Sequence, residues 1–197
     1  MKTNEYEQKL QQLITQNERV MAILRAVRHC QPPDWLVGAG LMRNLVWDHL
    51  HGYRQPTPPR DVDVAFFDPA DLSPERDEAV TAQLTAVLPD VAWEATNQAA
   101  VHLWYAQVFG KTVPPLTSTT EAIATWPETA TCTAVRLLPD DSLHIVAPFG
   151  LEDLFHMILR RNPARVTQAQ FQQRLRDKQI QQKWPQVRVI DDSLGDA

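Results

Sequence analysis

A mixed α/β fold, a small sheet with helices packed on it, follows from two patterns in the sequence. Short apolar or alternating runs at residues 35–37, 61–67 and 91–96 are separated by stretches of helical period. Two further alternating runs, 131–138 and 143–146, flank the turn Pro139-Asp140-Asp141-Ser142 and read as a hairpin. Helix-linked strands favour parallel pairs and a hairpin is antiparallel, so the sheet is expected to be mixed.

Taken in order, Asn4 and Glu7 fit a capping box, and the apolar spacing from Leu10 to Val27 predicts one N-terminal helix to about Arg28. Pro32-Pro33 stops it. Trp35-Leu36-Val37 is a short strand running into Gly38-Ala39-Gly40, and 41–50 reads as a helix. Residues 51–60 form a loop stiffened by Pro56, Pro58 and Pro59. After the strand at 61–67, residues 74–88 are a helix with Pro74 in its first turn. A strand at 91–96 precedes helices at 97–109 and 119–125. Beyond the hairpin, 150–160 and 167–182 are expected to be helical.

The chain has 197 residues, with 44% hydrophobic and 22% charged. That composition is ordinary for a globular domain, and the length suits one domain that buries roughly 70% of its unfolded surface. The expected organisation is a single domain, 1–197: an N-terminal helix (1–30), a core (35–160), and a basic C-terminal helix and tail (161–197). The two cysteines, Cys30 and Cys132, have no metal-ligand spacing and read as small core hydrophobes. No apolar run is long enough to span a membrane and the N-terminus lacks a hydrophobic signal core, so a cytoplasmic protein with no membrane partner is expected.

Charge is unevenly distributed. Residues 61–94 hold nine acids and one base, whereas 160–188 hold eight bases and one acid. Two solvated faces of opposite sign would account for this. A cation site facing a phosphate-attracting surface would account for it too. The net charge of −5 argues against a protein that coats nucleic acid.

The strand Asp61-Val62-Asp63-Val64-Ala65-Phe66 carries the main chemical signal. Alternation sends Val62, Val64 and Phe66 into a core and puts Asp61 and Asp63 together on the other face, roughly 7 Å apart along the strand. Parallel carboxylates repel unless a cation lies between them, and Mg²⁺ takes one or two such ligands while substrate phosphates complete its shell. An edge strand with a solvated acidic face is the alternative. Glu94 lies between Trp93 and Ala95 on the next strand. If the two strands are neighbours it joins the same face, giving the three carboxylates that two-metal phosphoryl transfer uses. Upstream, Gly38-Ala39-Gly40 links a strand to a helix. Small residues there admit a triphosphate to the backbone, free N–H groups of the helix start face it, and Arg43 lies in the first turn.

Together these residues resemble the DNA polymerase beta-like nucleotidyltransferase superfamily. Ala39-Gly40-Leu41-Met42-Arg43-Asn44 is similar to the Gly-rich turn of CCA-adding enzymes. With Trp126-Pro127-Glu128-Thr129-Ala130-Thr131 and Ala147-Pro148-Phe149-Gly150-Leu151-Glu152-Asp153 added, the chain from about Trp35 to Trp184 resembles a mostly bacterial family of nucleotidyltransferase-like proteins. The family pattern has Arg and Met where this chain has Ala100 and Val101, and the gap from Gly40 to Asp61 is longer than usual in the superfamily.

The resemblance implies an α/β (α+β) fold with the superfamily's small mixed sheet, flanking helices and an added N-terminal helix. It implies that Asp61 and Asp63 bind metal, that Glu94 is the third acid and helps activate the attacking hydroxyl, and that Ala39 and Gly40 hold the triphosphate by backbone contacts; from the residues themselves, Gly38 of the same turn, Arg43 and Arg60 are expected to serve the nucleotide as well. The implied reaction moves a nucleoside monophosphate from an NTP to a hydroxyl acceptor, with release of pyrophosphate and two Mg²⁺ (or Mn²⁺) ions as cofactors. Two other readings stay open: a nucleotide-binding module that has lost turnover, and a nucleic-acid partner protein using residues 160–188.

Other features have plainer readings. Gly110-Lys111-Thr112 follows a helix and lacks the first glycine of a P-loop. Lys111, Lys178 and Lys183 lack the context of an aspartyl phosphatase. His49 and His51 have no third zinc ligand. His102 reads as a packed polar residue, Asp48 and Asp153 as helix-surface charges or supporting partners, and Glu128 as a turn or cap residue with a binding role open. Trp47, Trp93, Trp104 and Trp126 read as core.

Overall fold

The computed structural model describes residues 2–190. The sheet is built from β1 (Leu36–Gly38), β2 (Val62–Phe66), β3 (Trp93–Asn97), β4 (Ala134–Leu137) and β5 (Leu143–Val146), in the order β3-β2-β1-β4-β5. β2 and β3 are parallel and the other pairs antiparallel, so the sheet is mixed as the sequence predicts. The parallel pair is connected through α4 (Pro74–Val87), which has Pro74 in its first turn.

One sheet face carries Val37, Val62, Val64, Phe66 and Val135 and packs into the main core. That core is shared with α1 (Lys2–Thr15), α2 (Glu18–Cys30), α3 (Gly40–His51) and α4. The other face is covered more thinly. Leu36, Ala65, Ala134 and Val146 meet Ile123 of α6 (Thr119–Ile123) and the fully buried Cys132. This thinner cover leaves room beside β2 and β3 for the cavities described below.

The N-terminal segment departs from the single helix expected. It is broken at Gln16–Asn17, where Asn17 takes an extended conformation and its Oδ1 accepts from the Val20 N–H at 3.0 Å. A side chain that satisfies a free helix N–H makes a new start cheap. Asn4 lies inside α1 and caps nothing. Residues 97–100 are also not helical. Asn97, fully buried, accepts from the Asp68 and Ala99 N–H groups and donates to the Asp68 and Asp71 carbonyls. It holds a turn from which α5 (Val101–Phe109) departs.

The helix expected at 150–160 shrinks to α7 (Glu152–Phe155). Met157 follows in the left-handed region, at φ 54°, and turns the chain into β6 (Ile158–Arg160). β6 pairs in parallel with β7 (Arg188–Ile190) in a second, two-stranded sheet. The helix expected at 167–182 is α8 (Gln168–Lys178), with a Thr167/Gln170 capping box, followed after a left-handed Gln179 by α9 (Ile180–Lys183). The end of the C-terminal tail, 191–197, lies outside the described residues, as does Met1. Among the described residues no helix is long and apolar enough to cross a membrane.

At the strand-to-helix turn, a Cβ on Gly38 would lie 2.5 Å from the Thr133 carbonyl oxygen and 2.7 Å from the Ala134 Cβ. Gly38 thus lets β4 approach β1. We predict that Gly38→Ala lowers stability by about 1–3 kcal/mol, as overpacking does, and Tm by roughly 3–10 °C. Thermal unfolding of the two proteins checks this, and an unchanged Tm would show that β4 yields freely.

Candidate active site

The register of β2 on β3 aligns Asp63 with Glu94. Residues aligned in a parallel pair point to the same face, so the two carboxylates stand side by side. Asp61, in the bend just before β2, brings the third. Ligand oxygens of Asp61, Asp63 and Glu94 all lie within 4.8 Å of one another. Among the described residues they are the only cluster of three or more His, Cys, Asp or Glu side chains within such reach.

The crowding has an electrostatic cost. Burial pushes the Asp63 carboxyl up to about 7, and the charges of Asp61 and Glu94 push it the same way. Lys178 and Arg43 pull it back only partly. Glu94, though exposed, is also raised, by partial desolvation and then by Asp61. Hard oxygen donors that repel one another are what a divalent cation relieves, so the donor set fits such an ion.

A cleft of about 530 Å³ opens beside these acids. Ala39, Gly40, Arg43 and Arg60, singled out in the sequence, line it together with Asp61 and Asp63. Gly38 does not; it is packed under β4. Ala39 stands at φ 50°, and its N–H donates to the Thr133 carbonyl at 3.2 Å. Arg60 is exposed at the rim. Arg43 is buried: its Nη2 donates to Asn44 Oδ1 at 2.8 Å, and its guanidinium lies 5.7 Å from the Trp47 ring and 5.3 Å from the Trp184 ring.

Asp48 is more than a surface charge. It is buried and accepts from the Thr57 N–H (2.6 Å), the Thr57 hydroxyl (2.8 Å) and the Trp184 indole N–H (2.7 Å). It ties the proline-rich loop to α3 and to the C-terminal segment. Asp153 accepts from Thr129 and Arg160 and anchors structure beside the site.

Arg174 and Lys178 were not expected in the cleft, and Glu128, whose binding role was open, joins them there. Glu128 is 3% exposed and pairs with Arg174 Nε at 2.7 Å. Arg174 holds its carboxyl below the usual range against the opposing effect of burial. Lys178 lines the same cleft and is lowered chiefly by burial. Arg174 and Lys178 stand four apart on α8, on one helix face, and that spacing was the available signal. The basic stretch is therefore not a continuous outward surface. Arg174 and Lys178 line the cleft, with the exposed Lys183 also at it, Arg165 is buried, and Arg176 and Arg188 are exposed. Trp47 and Trp93 are core, but Trp104 and Trp126 are half-buried walls of a second cavity.

An acid pair and a third acid thus stand together on a small mixed sheet, after a strand–turn–helix with small residues. A family model described as "Nucleotidyltransferase" matches residues 25–189, and the chain belongs to that family. An NMR structure described as revealing a CCA-adding enzyme head domain is 27% identical, with a TM-score of 0.79, covering 93% of this chain and 95% of that one. Complexes of CCA-adding enzyme with CTP and with ATP share the fold at 12% and 14% identity and TM-scores of 0.55 and 0.52. The chain spans 43% of the length of each. No curated protein matches it.

The raised Asp63 pKa gives a stability prediction with a definite sign. In the unfolded chain this carboxyl ionises near 3.9, in the folded protein near 7. Its ionisation thus favours unfolding increasingly as pH climbs from 4 through 7, in the absence of divalent ions. Asp63→Asn in EDTA should therefore raise Tm at pH 8 by roughly 3–10 °C and by little at pH 4. Melting curves at the two pH values decide; a variant that melts lower at pH 8 would contradict the assignment.

Proposed function

We propose that this protein is a divalent-metal-dependent nucleotidyltransferase that moves a nucleoside monophosphate from an NTP to a hydroxyl acceptor. The observation that supports this best is the meeting of the Asp61–Asp63–Glu94 cluster with a cationic cleft under the Ala39-Gly40 turn. Arg43, Arg174 and Lys178 crowd one another there, offset by Glu128 and, for Arg43 and Lys178, by Asp63. With Asp61 and Asp63 engaged by metal, a triphosphate supplies the negative charge that these cations face. The bound complexes of the CCA-adding enzymes, with CTP and ATP, are consistent with an NTP in a fold of this kind.

In this reading Asp61, Asp63 and Glu94 hold two Mg²⁺ or Mn²⁺ ions, which when bound neutralise phosphate charge and acidify the attacking hydroxyl. The chain's own groups do the rest. The turn at Gly40, beside an Ala39 whose N–H is held by Thr133, lets the β- and γ-phosphates approach the backbone, with Arg43 and Lys178 as cationic partners and Arg60 at the rim. Glu94, raised and exposed, takes the hydroxyl proton. The acceptor oxygen bonds to the α-phosphorus, the bond to the β-phosphate bridging oxygen breaks, and pyrophosphate departs into the basic cleft.

Two measurements test this. An NTP with Mg²⁺ at about 100 times its Kd should stabilise the protein by about 2.7 kcal/mol, a shift on the order of 5–10 °C. The Asp61→Ala/Asp63→Ala double variant should lose it; a shift that survives would place the nucleotide elsewhere. Lys178→Met should weaken NTP binding roughly 10–100-fold, the range for a hydrogen bond to a charged group, with the Tm in the absence of nucleotide not lowered. Titration calorimetry reads that loss, and an unchanged Kd would remove Lys178 from the phosphate site.

A further inference from the structure

A second cavity, of about 430 Å³, meets the basic cleft at Asp63 and reaches Glu94. It is walled by Trp104, Tyr105 and Phe109 of α5 on one side and by Trp126 and Val166 on the other. The aromatic wall is continuous: Tyr105 and Phe109 have ring centroids 4.5 Å apart, and Trp104 and Tyr105 6.2 Å. Its volume is that of an ordinary small-molecule site, mostly apolar with a few polar groups.

One of those polar groups is unusual. Arg165 is 8% exposed, and its guanidinium sits 5.1 Å from the Tyr105 ring and lines the cavity. Among the described residues no carboxylate comes within ion-pair distance of it. Its backbone carbonyl accepts from the Tyr105 hydroxyl at 3.4 Å, but no acceptor is bonded to its side chain. Burial lowers its pKa, against the opposing effects of Tyr105 and of Glu121, which lies beyond ion-pair distance. Buried cations are normally paired, so a cation that faces a cavity with only a ring beside it and the more distant charge of Glu121 to offset it points to an anion that arrives from outside.

Position supplies the role. In an in-line displacement the attacking oxygen and the leaving pyrophosphate lie on opposite sides of the α-phosphorus. With pyrophosphate in the cleft of Arg43 and Lys178, the hydroxyl enters past Glu94, from this cavity. The nucleoside itself is a poorer occupant. Its negative charge resides in its phosphates, and a neutral base leaves Arg165 uncompensated.

We propose that this cavity receives the acceptor, a small molecule with a flat aromatic body, one anionic group that pairs with Arg165, and a hydroxyl presented to Glu94. The inference rests on the nucleotidyl-transfer reading of the carboxylate cluster. The acceptor hydroxyl gives its proton to Glu94 and its oxygen to the α-phosphorus, so the products are the acceptor's nucleotidyl ester and pyrophosphate. Trp104, Tyr105 and Trp126 then select the flat body, and Arg165 selects its charge.

The test uses three probes on the full chain, followed by tryptophan fluorescence: 4-hydroxyphenylacetate, 4-hydroxybenzylphosphonate and the uncharged 4-hydroxyphenylacetamide. At least one anion should bind tenfold or more tightly than the amide, and the better of the two reports whether the site takes a carboxylate or a phosphate-like group. Arg165→Met should abolish the preference and Arg165→Lys should keep part of it, both retaining the thermal shift given by ATP and Mg²⁺. Equal binding of acid and amide, no saturable binding of any probe, or a preference that survives Arg165→Met would overturn the proposal. So would a folded Arg165→Lys protein that loses the ATP shift, since the nucleoside would then occupy the cavity. Anion preference in a wild type that no NTP stabilises would sink the transfer reading and the acceptor role with it, leaving an anion-binding pocket.

Discussion

Parallel pairing of β2 with β3 sets Asp63 beside Glu94, and a slip of one residue would turn one of them to the opposite face. The remaining architecture serves that register. α4 carries the chain across so that the two strands can run the same way. Val62, Val64 and Phe66, alternating with the acids, lock β2 into the main core at 3%, 1% and 0% exposure. The cost of gathering three carboxylates is therefore met by apolar packing on the other face of the same strand, where each side chain contributes on the order of 2 kcal/mol.

A second constraint, the buried Asp48, decides where Asp61 stands. Its two oxygens take three donors, two from Thr57 and one from Trp184. Asn44 adds a bond from its Nδ2 to the Thr57 carbonyl while its Oδ1 holds Arg43. A single turn of α3 thereby orients both a cation of the cleft and the loop that leads into Asp61. Hydrogen bonding of this completeness is what makes a buried carboxylate tolerable.

Much of this was legible in the residues. α4 and the hairpin follow from period and proline, and the acids from strand alternation across Asp61–Phe66. The Ala39-Gly40 turn was equally visible. What escaped is what depends on tertiary pairing. The breaks at Asn17, Met157 and Gln179 are single-residue conformations, two of them left-handed, inside runs whose period suits helix. β6 and β7 have three residues each, too few for any period to show. Arg174, Lys178 and Arg165 belong to a basic stretch that reads as a solvated face. The inward direction of Arg174 and Lys178 goes with Phe171, fully buried on the same helix, which fixes how α8 lies on the core. Gly38 carried a misleading signal too: its small size serves the approach of β4 and not the cleft.

The link from Asp48 to Trp184 joins residues 136 positions apart. During synthesis at roughly 5–20 residues per second, the carboxylate strand leaves the ribosome many seconds before α8 and Trp184. Until they arrive, Asp48 lacks its indole donor and the acids lack Lys178 and Arg174. Closure of so long a loop comes late in folding, so the nascent chain holds its acids without its cations. The cleft is completed when α8 and Trp184 dock beside α3.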